Sequence, residues 1–273
     1  MPESVAAALV VAAGRLVDSD TPRLDAELLM AHALGISREA MLLGRLGDPV
    51  PAGFAGLIER RAAGEPVAYI TGRRAFWTIE LEVGPGALIP RPDSETLIEA
   101  AVEHFGKGGP KRILDLGTGP GTLLLAALAE WPEARGLGID RSEQALAYAR
   151  ANAAALGLDG RAQFRLGDWA VDLEGQFDLV LCNPPYVEIG AALARDVAEH
   201  EPHSALFAGE DGLDDYRRLA PMLARLIAPG GLGAVEIGHQ QAVAVTGLFK
   251  DLGLRCSVRQ DLGRRDRCVL IHG

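Results

Sequence analysis

The stretch at residues 113–121 decides the fold of this chain. It reads Ile113-Leu114-Asp115-Leu116-Gly117-Thr118-Gly119-Pro120-Gly121, and Thr122 follows. The apolar start predicts a buried strand, the glycines predict a sharp turn, and a helix is expected to open at Thr122. A strand that enters a helix through glycines is typical of nucleotide-binding α/β folds. The dinucleotide fingerprint GxGxxG would need glycine at position 122, so the spacing argues weakly against a nicotinamide or flavin enzyme.

Strands and helices alternate on both sides of this stretch. The pattern predicts strands at 112–116, 135–139, 162–166, 177–182, 232–237, 254–258 and 267–271. It predicts helices at about 121–130, 142–156, 212–227 and 239–251. Such alternation indicates an α/β fold with a doubly wound, seven-stranded, mostly parallel sheet. The last two strands are expected to form an antiparallel hairpin at one sheet edge, because only a short segment separates them.

The N-terminal part has a different pattern. Apolar residues recur at helical spacing from Val5 to Leu16 and from Leu24 to Ala31, which predicts a small all-helical domain over residues 1–75. Thr21-Pro22 indicates a helix start and Gly35 a helix end. Residues 76–90 are predicted to be a linker with a β-hairpin, in which a strand at 76–83 pairs with 87–89. Residues 91–273 are then the larger domain.

Composition limits the classes of function. The 273 residues are 48% hydrophobic, so a sizeable core is expected. The net charge of −10 argues against a broad surface for nucleic-acid phosphates, and no direct nucleic-acid partner is expected. The three cysteines form no CxxC pair, and neither a signal peptide nor a membrane-spanning run is evident. These features predict a cytoplasmic location without membrane association.

No metal site is expected. The stretch His200-Glu201-Pro202-His203 contains candidate ligands, but it has prolines and lacks further ligands nearby. A surface loop is the better interpretation.

The predicted strand ends supply groups that suit a nucleoside ligand with an amino-acid end. The glycine loop and its helix N-terminus offer N–H groups to a carboxylate. Asp115, within the first strand, would either hold the loop amides or receive an ammonium group. Asp140 ends the second strand, where an acid commonly accepts the ribose hydroxyls, although it could also cap the helix that starts at Ser142.

The third strand ends at Gly167-Asp168-Trp169. Asp168 is a candidate acceptor for an adenine amine and Trp169 a candidate cover for the ring, with an Asx turn beside a packed Trp as the alternative. Taken in chain order, the three strand ends suit S-adenosylmethionine.

A second motif, Asn183-Pro184-Pro185-Tyr186, follows the predicted strand 177–182. Two prolines fix φ and remove two backbone donors, so the chain leaves the strand as a stiff extended elbow. An amide, carbonyl acceptors and a ring are thereby presented at a strand end, where ligands of open α/β sheets bind. This combination suits a planar NH2 group on a substrate and, with the glycine loop, indicates a nitrogen methyltransferase.

Further stretches narrow the interpretation to one family. Residues 115–121 together with 183–186 resemble class I N-methyltransferases. Four additional stretches are similar to the release-factor glutamine methyltransferases: Arg60-Arg61-Ala62-Ala63-Gly64-Glu65-Pro66-Val67-Ala68-Tyr69-Ile70-Thr71-Gly72, Leu88-Ile89-Pro90-Arg91-Pro92-Asp93-Ser94-Glu95, residues 201–213, and Glu236-Ile237-Gly238-His239-Gln240. The resemblance extends from about residue 23 to the end of the chain.

The resemblance implies a class I methyltransferase fold and N5-methylation of the glutamine in the Gly-Gly-Gln motif of peptide chain release factors. S-adenosylmethionine would be the methyl donor and S-adenosylhomocysteine the product. The cofactor site would be lined by Asp115, Gly117, Thr118, Gly119, Pro120, Gly121, Asp140, Asp168, Trp169 and Asn183. The glutamine would be held by Asn183, Pro184, Pro185 and Tyr186, which are also the expected catalytic residues. Pro120 departs from the small residue usual in the family and removes one N–H from the loop.

Two other classes of function compete with this interpretation. A nucleic-acid amino-methyltransferase, acting on adenine N6 or guanine N2 of a flipped base, would use the same tetrapeptide. The acidic net charge and the small helical domain count against it. A nonenzymatic cofactor-binding module would not need the intact tetrapeptide. The protein is expected to act as a monomer on a release factor.

Overall fold

The computed structural model describes residues 4–273, so the first three residues of the predicted 1–75 domain lie outside it. The chain forms two compact units. One consists of the residues up to Arg73 together with 193–200, and the other of residues 74–192 with 201–273. The inclusion of 193–200 in the first unit was not anticipated from the sequence.

The first unit is built from helices. Its first five are α1 Val5–Arg15, α2 Pro22–Leu34, α3 Arg38–Gly44, α4 Phe54–Ala62 and α5 Val67–Thr71. The predicted start at Thr21-Pro22 and stop at Gly35 are confirmed, with Gly35 in the left-handed conformation at φ 67°. The core of this unit includes Leu9, Leu29 and Met30. The unit therefore has a hydrophobic core of its own.

A two-stranded sheet follows, formed by β1 Arg73–Phe76 and β2 Ile79–Glu82. The predicted hairpin between 76–83 and 87–89 was wrong, because the chain turns earlier, at Trp77-Thr78. Trp77 has φ 53°, a left-handed conformation that a large residue rarely adopts, so the turn carries no glycine signal in the sequence. A short 3₁₀ turn at Pro92–Ser94 then leads into α6 Glu95–Phe105.

The second unit is organised around a seven-stranded sheet. In chain order its elements are β3 Arg112–Leu116, α7 Thr122–Glu130, β4 Arg135–Asp140, α8 Glu143–Ala155, β5 Ala162–Leu166, β6 Phe177–Cys182, α10 Asp214–Leu226, β7 Ile227–Glu236, α11 Ala242–Lys250, β8 Arg255–Gln260 and β9 Asp266–His272. The short helix α9, Arg195–His200, falls between β6 and α10 but belongs to the first unit. The predicted α/β fold with a mostly parallel sheet is confirmed.

The strand order places the functional site. The sheet runs β5-β4-β3-β6-β7-β9-β8, with β3 parallel to both β4 and β6 and with β9 antiparallel to β7 and β8. The order therefore reverses between β3 and β6. In open α/β sheets ligands bind outside the carboxyl ends of the strands at such a switch point. The glycine loop after β3 and the tetrapeptide after β6 both lie at this point.

A continuous apolar core holds these strand ends in place. Leu114, Leu116, Val180 and Val235 are fully buried in it, and α10 packs Tyr216 and Leu219 against the same side. The central strands are apolar in near-continuous runs because helices cover both faces of the sheet. A rigid sheet is thus available to position the loops that follow β3, β4, β5 and β6.

Candidate active site

A cleft lies at the carboxyl ends of the central strands in the second unit. Open α/β sheets bind their ligands at this position. Of the residues predicted for the site, ten line the cleft: Asp115, Gly117, Thr118, Gly119, Pro120, Asp140, Asp168, Trp169, Asn183 and Pro185. Gly121, Pro184 and Tyr186 are not part of its lining. The structure thus brings the glycine loop, the acids after the next strands and the tetrapeptide to one cavity.

The glycine loop is shaped by positive φ angles at Gly117, Gly119 and Gly121. A Cβ at Gly117 would lie 3.0 Å from the Trp169 ring, whereas at Gly119 it would meet nothing within 4 Å. Gly117 therefore lets the loop pack under the indole, and Gly119 leaves the cleft open beside its backbone. Gly121 precedes α7, where a Cβ would lie 2.8 Å from Leu125.

Asp115 is a buried carboxylate with one oxygen left over. Its Oδ2 accepts hydrogen bonds from Thr118 Oγ1 at 2.6 Å and from the Leu124 N–H at 3.2 Å. Its Oδ1 is buried and has no hydrogen-bond partner within residues 4–273. Burial raises the pKa of Asp115 to about 7, against the lowering effect of its two hydrogen bonds. A buried acceptor of this kind needs a partner, and its position in the cleft wall makes a ligand donor the natural one.

Asp140 holds two backbone groups. Its Oδ2 accepts from the Gly119 N–H and its Oδ1 from the Ser142 N–H, both at 2.8 Å. Ser142 itself caps α8 by accepting from the Ala145 N–H. Ser142 is therefore the residue that caps α8, and the cap role weighed for Asp140 was wrong, because Asp140 binds the turn that precedes the helix. Each carboxylate oxygen of Asp140 has further lone pairs, so these bonds are chemically compatible with the ligand role.

Asp168 and Trp169 also line the cleft. Asp168 pairs with Arg218 at 2.5 Å, and their side chains are 55% and 43% exposed. The Trp169 indole N–H donates to Asp215 at 3.1 Å, and Trp169 has φ 53°. The indole is thereby fixed as a wall of the cleft above Gly117.

Asn183 lines the cleft at the end of β6. Its Nδ2 donates to Ser94 Oγ at 3.2 Å, and its Oδ1 accepts no hydrogen bond from residues 4–273. The NH2 end of this amide therefore turns inward, toward Ser94. Pro184 and Pro185 are buried, so the elbow is held by packing as well as by its fixed φ. An amide oxygen is left for a donor in the cleft.

Tyr186 is half-buried, and its hydroxyl meets a carboxylate. Its hydroxyl donates to Glu236 Oε1 at 3.4 Å, and its carbonyl accepts from Gln241 Nε2 at 3.0 Å. Burial raises the pKa of Tyr186, and the charge of Glu236 raises it further. Tyr186 therefore remains protonated and can serve as a hydrogen-bond donor.

Comparison with known proteins identifies the family. Residues 7–72 match the model of the PrmC N-terminal domain, and residues 108–210 match a methyltransferase domain. A release factor glutamine methyltransferase of Rhodospirillum rubrum is 46% identical, over 98% of this chain and 86% of that protein. A second, of Caulobacter vibrioides, is 45% identical over 96% of this chain and 94% of that protein. The chain belongs to the release factor glutamine methyltransferase family.

A solved structure agrees on the fold. A methyltransferase from Pyrococcus furiosus superposes with a TM-score of 0.54 at 18% sequence identity, over 80% of this chain and 98% of that one. At this identity the likeness shows the class I methyltransferase architecture alone. The family membership thus rests on the release factor glutamine methyltransferases themselves.

The cleft fits the cofactor that a methyltransferase of this fold needs. The unpartnered Asp115 Oδ1 suits an ammonium group, and the open backbone at Gly119 suits close approach of a ligand. Asp140 and the indole of Trp169 line the same cavity. An acceptor for the amino-acid end, an acid after β4 and an aromatic wall after β5 therefore match the three parts of S-adenosylmethionine.

Several site residues were not singled out from the sequence. The cleft is also lined by residues 88–91, by Ser94, and by Pro202, Ser204 and Ala205. Glu201 is buried and binds the Ile89 N–H and the Arg91 guanidinium, which joins the two segments. Arg91 both pairs with Glu201 and lines the cleft. The sequence signal for Glu201 was an acid in a stretch otherwise interpreted as a surface loop.

No group of three or more His, Cys, Asp or Glu side chains within residues 4–273 is arranged to hold a metal ion. In the same residues no helix is both long enough and apolar enough to cross a membrane.

Proposed function

We propose that this protein transfers a methyl group from S-adenosylmethionine to the side-chain nitrogen (N5) of the glutamine in the Gly-Gly-Gln motif of peptide chain release factors, and thereby modulates translation termination. The observation that carries the proposal is Asn183, whose Nδ2 is bound by Ser94 while its Oδ1 is left unpaired at a cleft suited to the cofactor. The near full-length similarity to release factor glutamine methyltransferases supports the choice of substrate.

The proposed task of the tetrapeptide is to hold the substrate amide. A glutamine nitrogen is a poor nucleophile because its lone pair is delocalised into the carbonyl. Asn183 Oδ1 and the Pro184 carbonyl would accept its two N–H bonds and orient the nitrogen, while Tyr186 packs beside the amide. When bound, the cofactor supplies an electrophilic methyl on its sulfonium. Positioning of this kind can contribute as much as ~7–11 kcal/mol to the barrier reduction, which exceeds what one hydrogen bond gives.

The cofactor assignment is part of the same proposal. Asp115 would receive the ammonium, the loop of Gly117 to Gly121 would approach the amino-acid end, and Asp140 would accept from the ribose. Asp168 and Trp169 would contact the adenine. An acid at the second strand end with free lone pairs and an indole in the cleft wall support these roles.

The test offers three acceptors to the purified protein with isotope-labelled cofactor: a release factor, its Gly-Gly-Gln variant with glutamine replaced by alanine, and nucleic acid. We expect label on the unmodified release factor alone. Label on nucleic acid only would overturn the proposal in favour of a base methyltransferase. Label on nothing would indicate a binding module.

The oligomeric state is tested separately from the activity. We propose that the protein acts as a monomer, in the cytoplasm, where release factors work. Light scattering on the eluting protein should give a mass close to the 28.8 kDa of one chain. A mass near twice that value would contradict the monomer.

A further inference from the structure

Behind Asn183 lies a buried chain of hydrogen bonds, formed with two residues outside the tetrapeptide. Asn183 Nδ2 donates to Ser94 Oγ at 3.2 Å, and Ser94 Oγ donates to Glu236 Oε2 at 2.5 Å. Ser94 is 2% exposed and Glu236 1%. The three residues come from the start of α6, the end of β6 and the end of β7. The strand order of the sheet brings them together, although 142 positions separate Ser94 from Glu236.

The chemistry of these groups gives the chain a direction. An ionised carboxylate only accepts hydrogen bonds, so Ser94 must donate its single proton to Glu236. Ser94 Oγ is then left with lone pairs alone and can only accept from Asn183. Asn183 must therefore turn its NH2 inward and its carbonyl oxygen toward the cleft. The opposite amide orientation would place NH2 groups of enzyme and substrate against each other.

We propose that Glu236 and Ser94 are positioning residues that fix the orientation of the Asn183 side-chain amide, so that the enzyme presents an acceptor to an NH2-bearing substrate. The proposal deepens the proposed function and rests on it for the identity of the substrate. Glu236, at the end of β7, is not among the residues that line the cleft. Under this proposal it nevertheless takes part in substrate selection, through Ser94 and Asn183.

The surroundings of Glu236 fit this role. Burial raises its pKa to about 7, while the hydrogen bond from Ser94 and the charge of Arg267 lower it. The titratable or charged groups that face it are Asp93, Cys182, Tyr186, Tyr216, Arg267 and Cys268. Below about pH 7 a growing share of Glu236 is protonated and can donate to Ser94, so the direction of the chain is no longer imposed. The kcat of the wild type should therefore fall as the pH drops below about 7.

The decisive variant is Ser94→Ala, which removes one hydroxyl and cuts the chain. Thr246→Val is the matched control, because it also removes one buried hydroxyl, which binds the Ala242 carbonyl in α11. We expect Ser94→Ala to lower kcat at least about tenfold at saturating cofactor while the cofactor Kd changes less than about twofold, since misorientation of one group costs turnover. Thr246→Val should keep kcat. The decline of kcat below pH 7 should disappear in Ser94→Ala.

Glu236→Gln is the second variant. It preserves volume and removes the acceptor-only character, so a purely structural role predicts unchanged kcat. The positioning role predicts a fall of about tenfold, because the new side-chain NH2 can donate to Ser94 Oγ, which then donates to Asn183 Oδ1 and turns the Asn183 NH2 toward the substrate. A kcat within about twofold of wild type in both Ser94→Ala and Glu236→Gln would overturn the proposal.

A readout independent of activity separates this proposal from the proposed function. The Asn183 side-chain NH2 signal can be identified in ¹⁵N spectra by its loss in Asn183→Asp. Its protons should exchange slowly with solvent in the wild type and faster in Ser94→Ala, with no change in Thr246→Val. Unchanged exchange in Ser94→Ala would overturn the proposal. If the wild type fails to methylate a release factor, the proposed function fails while this measurement still decides the orientation of Asn183.

Discussion

Asp115 and Glu236 are the same chemical group in nearly the same burial, yet their surroundings differ. Each is a carboxylate at the carboxyl end of a central strand, and burial raises the pKa of each to about 7. Asp115 keeps an oxygen without a partner in the cleft wall, whereas both oxygens of Glu236 accept hydrogen bonds from the protein. A carboxylate with an oxygen that lacks a hydrogen-bond partner is suited to bind a ligand. A carboxylate whose two oxygens are both hydrogen-bonded is suited to orient a neighbouring side chain. This difference distinguishes a cofactor side of the site, with Asp115 and the glycine loop, from a substrate side, with Asn183, Ser94 and Glu236.

The largest expected effect is on the substrate side. Asn183→Ala removes the amide oxygen that would accept from the glutamine, so kcat should fall at least about 100-fold because positioning is lost. The cofactor Kd should change less than about threefold, since Asp115 and the glycine loop are untouched. Single-turnover kinetics and calorimetry measure the two quantities. A kcat near that of wild type would sink the assigned role of the tetrapeptide.

Asp115→Asn should damage the cofactor side selectively. It replaces the charged acceptor that would meet the ammonium, and charge-assisted hydrogen bonds contribute about 1.5–3 kcal/mol, so the cofactor Kd should rise by about 10- to 100-fold. The kcat at saturating cofactor should stay closer to wild type. Asp178→Asn is the control, because Asp178 also binds backbone N–H groups, of Lys111 and Arg112, but outside the cleft. An equal loss of affinity in both variants would contradict a specific role for Asp115.

A smaller effect is expected in the pH dependence of stability without cofactor. The pKa of Asp115 is raised from 3.8 to about 7 in the folded state, so the folded protein holds a proton that the unfolded chain has lost. This contribution to stability is present at low pH and is lost as pH rises from about 4 to 7. Asp115→Asn has no carboxyl group at this position and therefore does not lose this stability. The free energy of unfolding of the variant minus that of the wild type should rise from about pH 4 to 7 and stay constant above pH 7.

Urea denaturation in steps from pH 4 to 8 measures the difference between the two proteins. Because other carboxylates are common to both, they largely cancel. A difference that stays constant with pH would show that Asp115 is ionised normally, and the comparison with Glu236 would lose its basis.

The smallest effect is expected at the rim of the cofactor side. Arg218→Gln breaks the pair with Asp168, but both side chains are about half exposed, and such pairs contribute roughly 0–1 kcal/mol. Thermal unfolding should shift little, and the cofactor Kd should change less than about fivefold. A tenfold or greater loss of cofactor affinity would contradict this expectation and would indicate that Asp168, rather than Asp115, is the main determinant of cofactor binding.

The sequence predicted the elements that depend on local patterns. The apolar runs at 112–116 and 177–182 are strands with the expected bounds, and β9 pairs antiparallel with β8. The hairpin at β1 and β2 was misplaced, because its turn uses Trp77 rather than a residue that marks turns. The short helices α3, α5 and α9 were missed because too few residues in each reveal a period.

The candidate site divides in the same way. Asp115, the glycines and Asn183 belong to motifs at the carboxyl ends of predicted strands. Because these ends meet at one edge of the sheet, the sequence alone predicted a common cleft. Ser94 and Glu236 appeared in the sequence only as members of two stretches that resemble the family. Their meeting depends on strand order and on the packing of α6 against β7, which no local pattern records. A buried acid at the end of an apolar strand is the signal that could have pointed to Glu236.

The placement of Trp169 gives the cleft an optical reporter. Of the chain's three tryptophans, Trp169 alone among the described residues lines the cleft, while the Trp77 and Trp131 indoles donate to Glu130 and to the Gly106 carbonyl. A ring that stacks on Trp169 would quench its emission and leave the other two largely unaffected. Occupancy of the cleft can therefore be followed by intrinsic fluorescence, with Trp169→Phe as the silent reference.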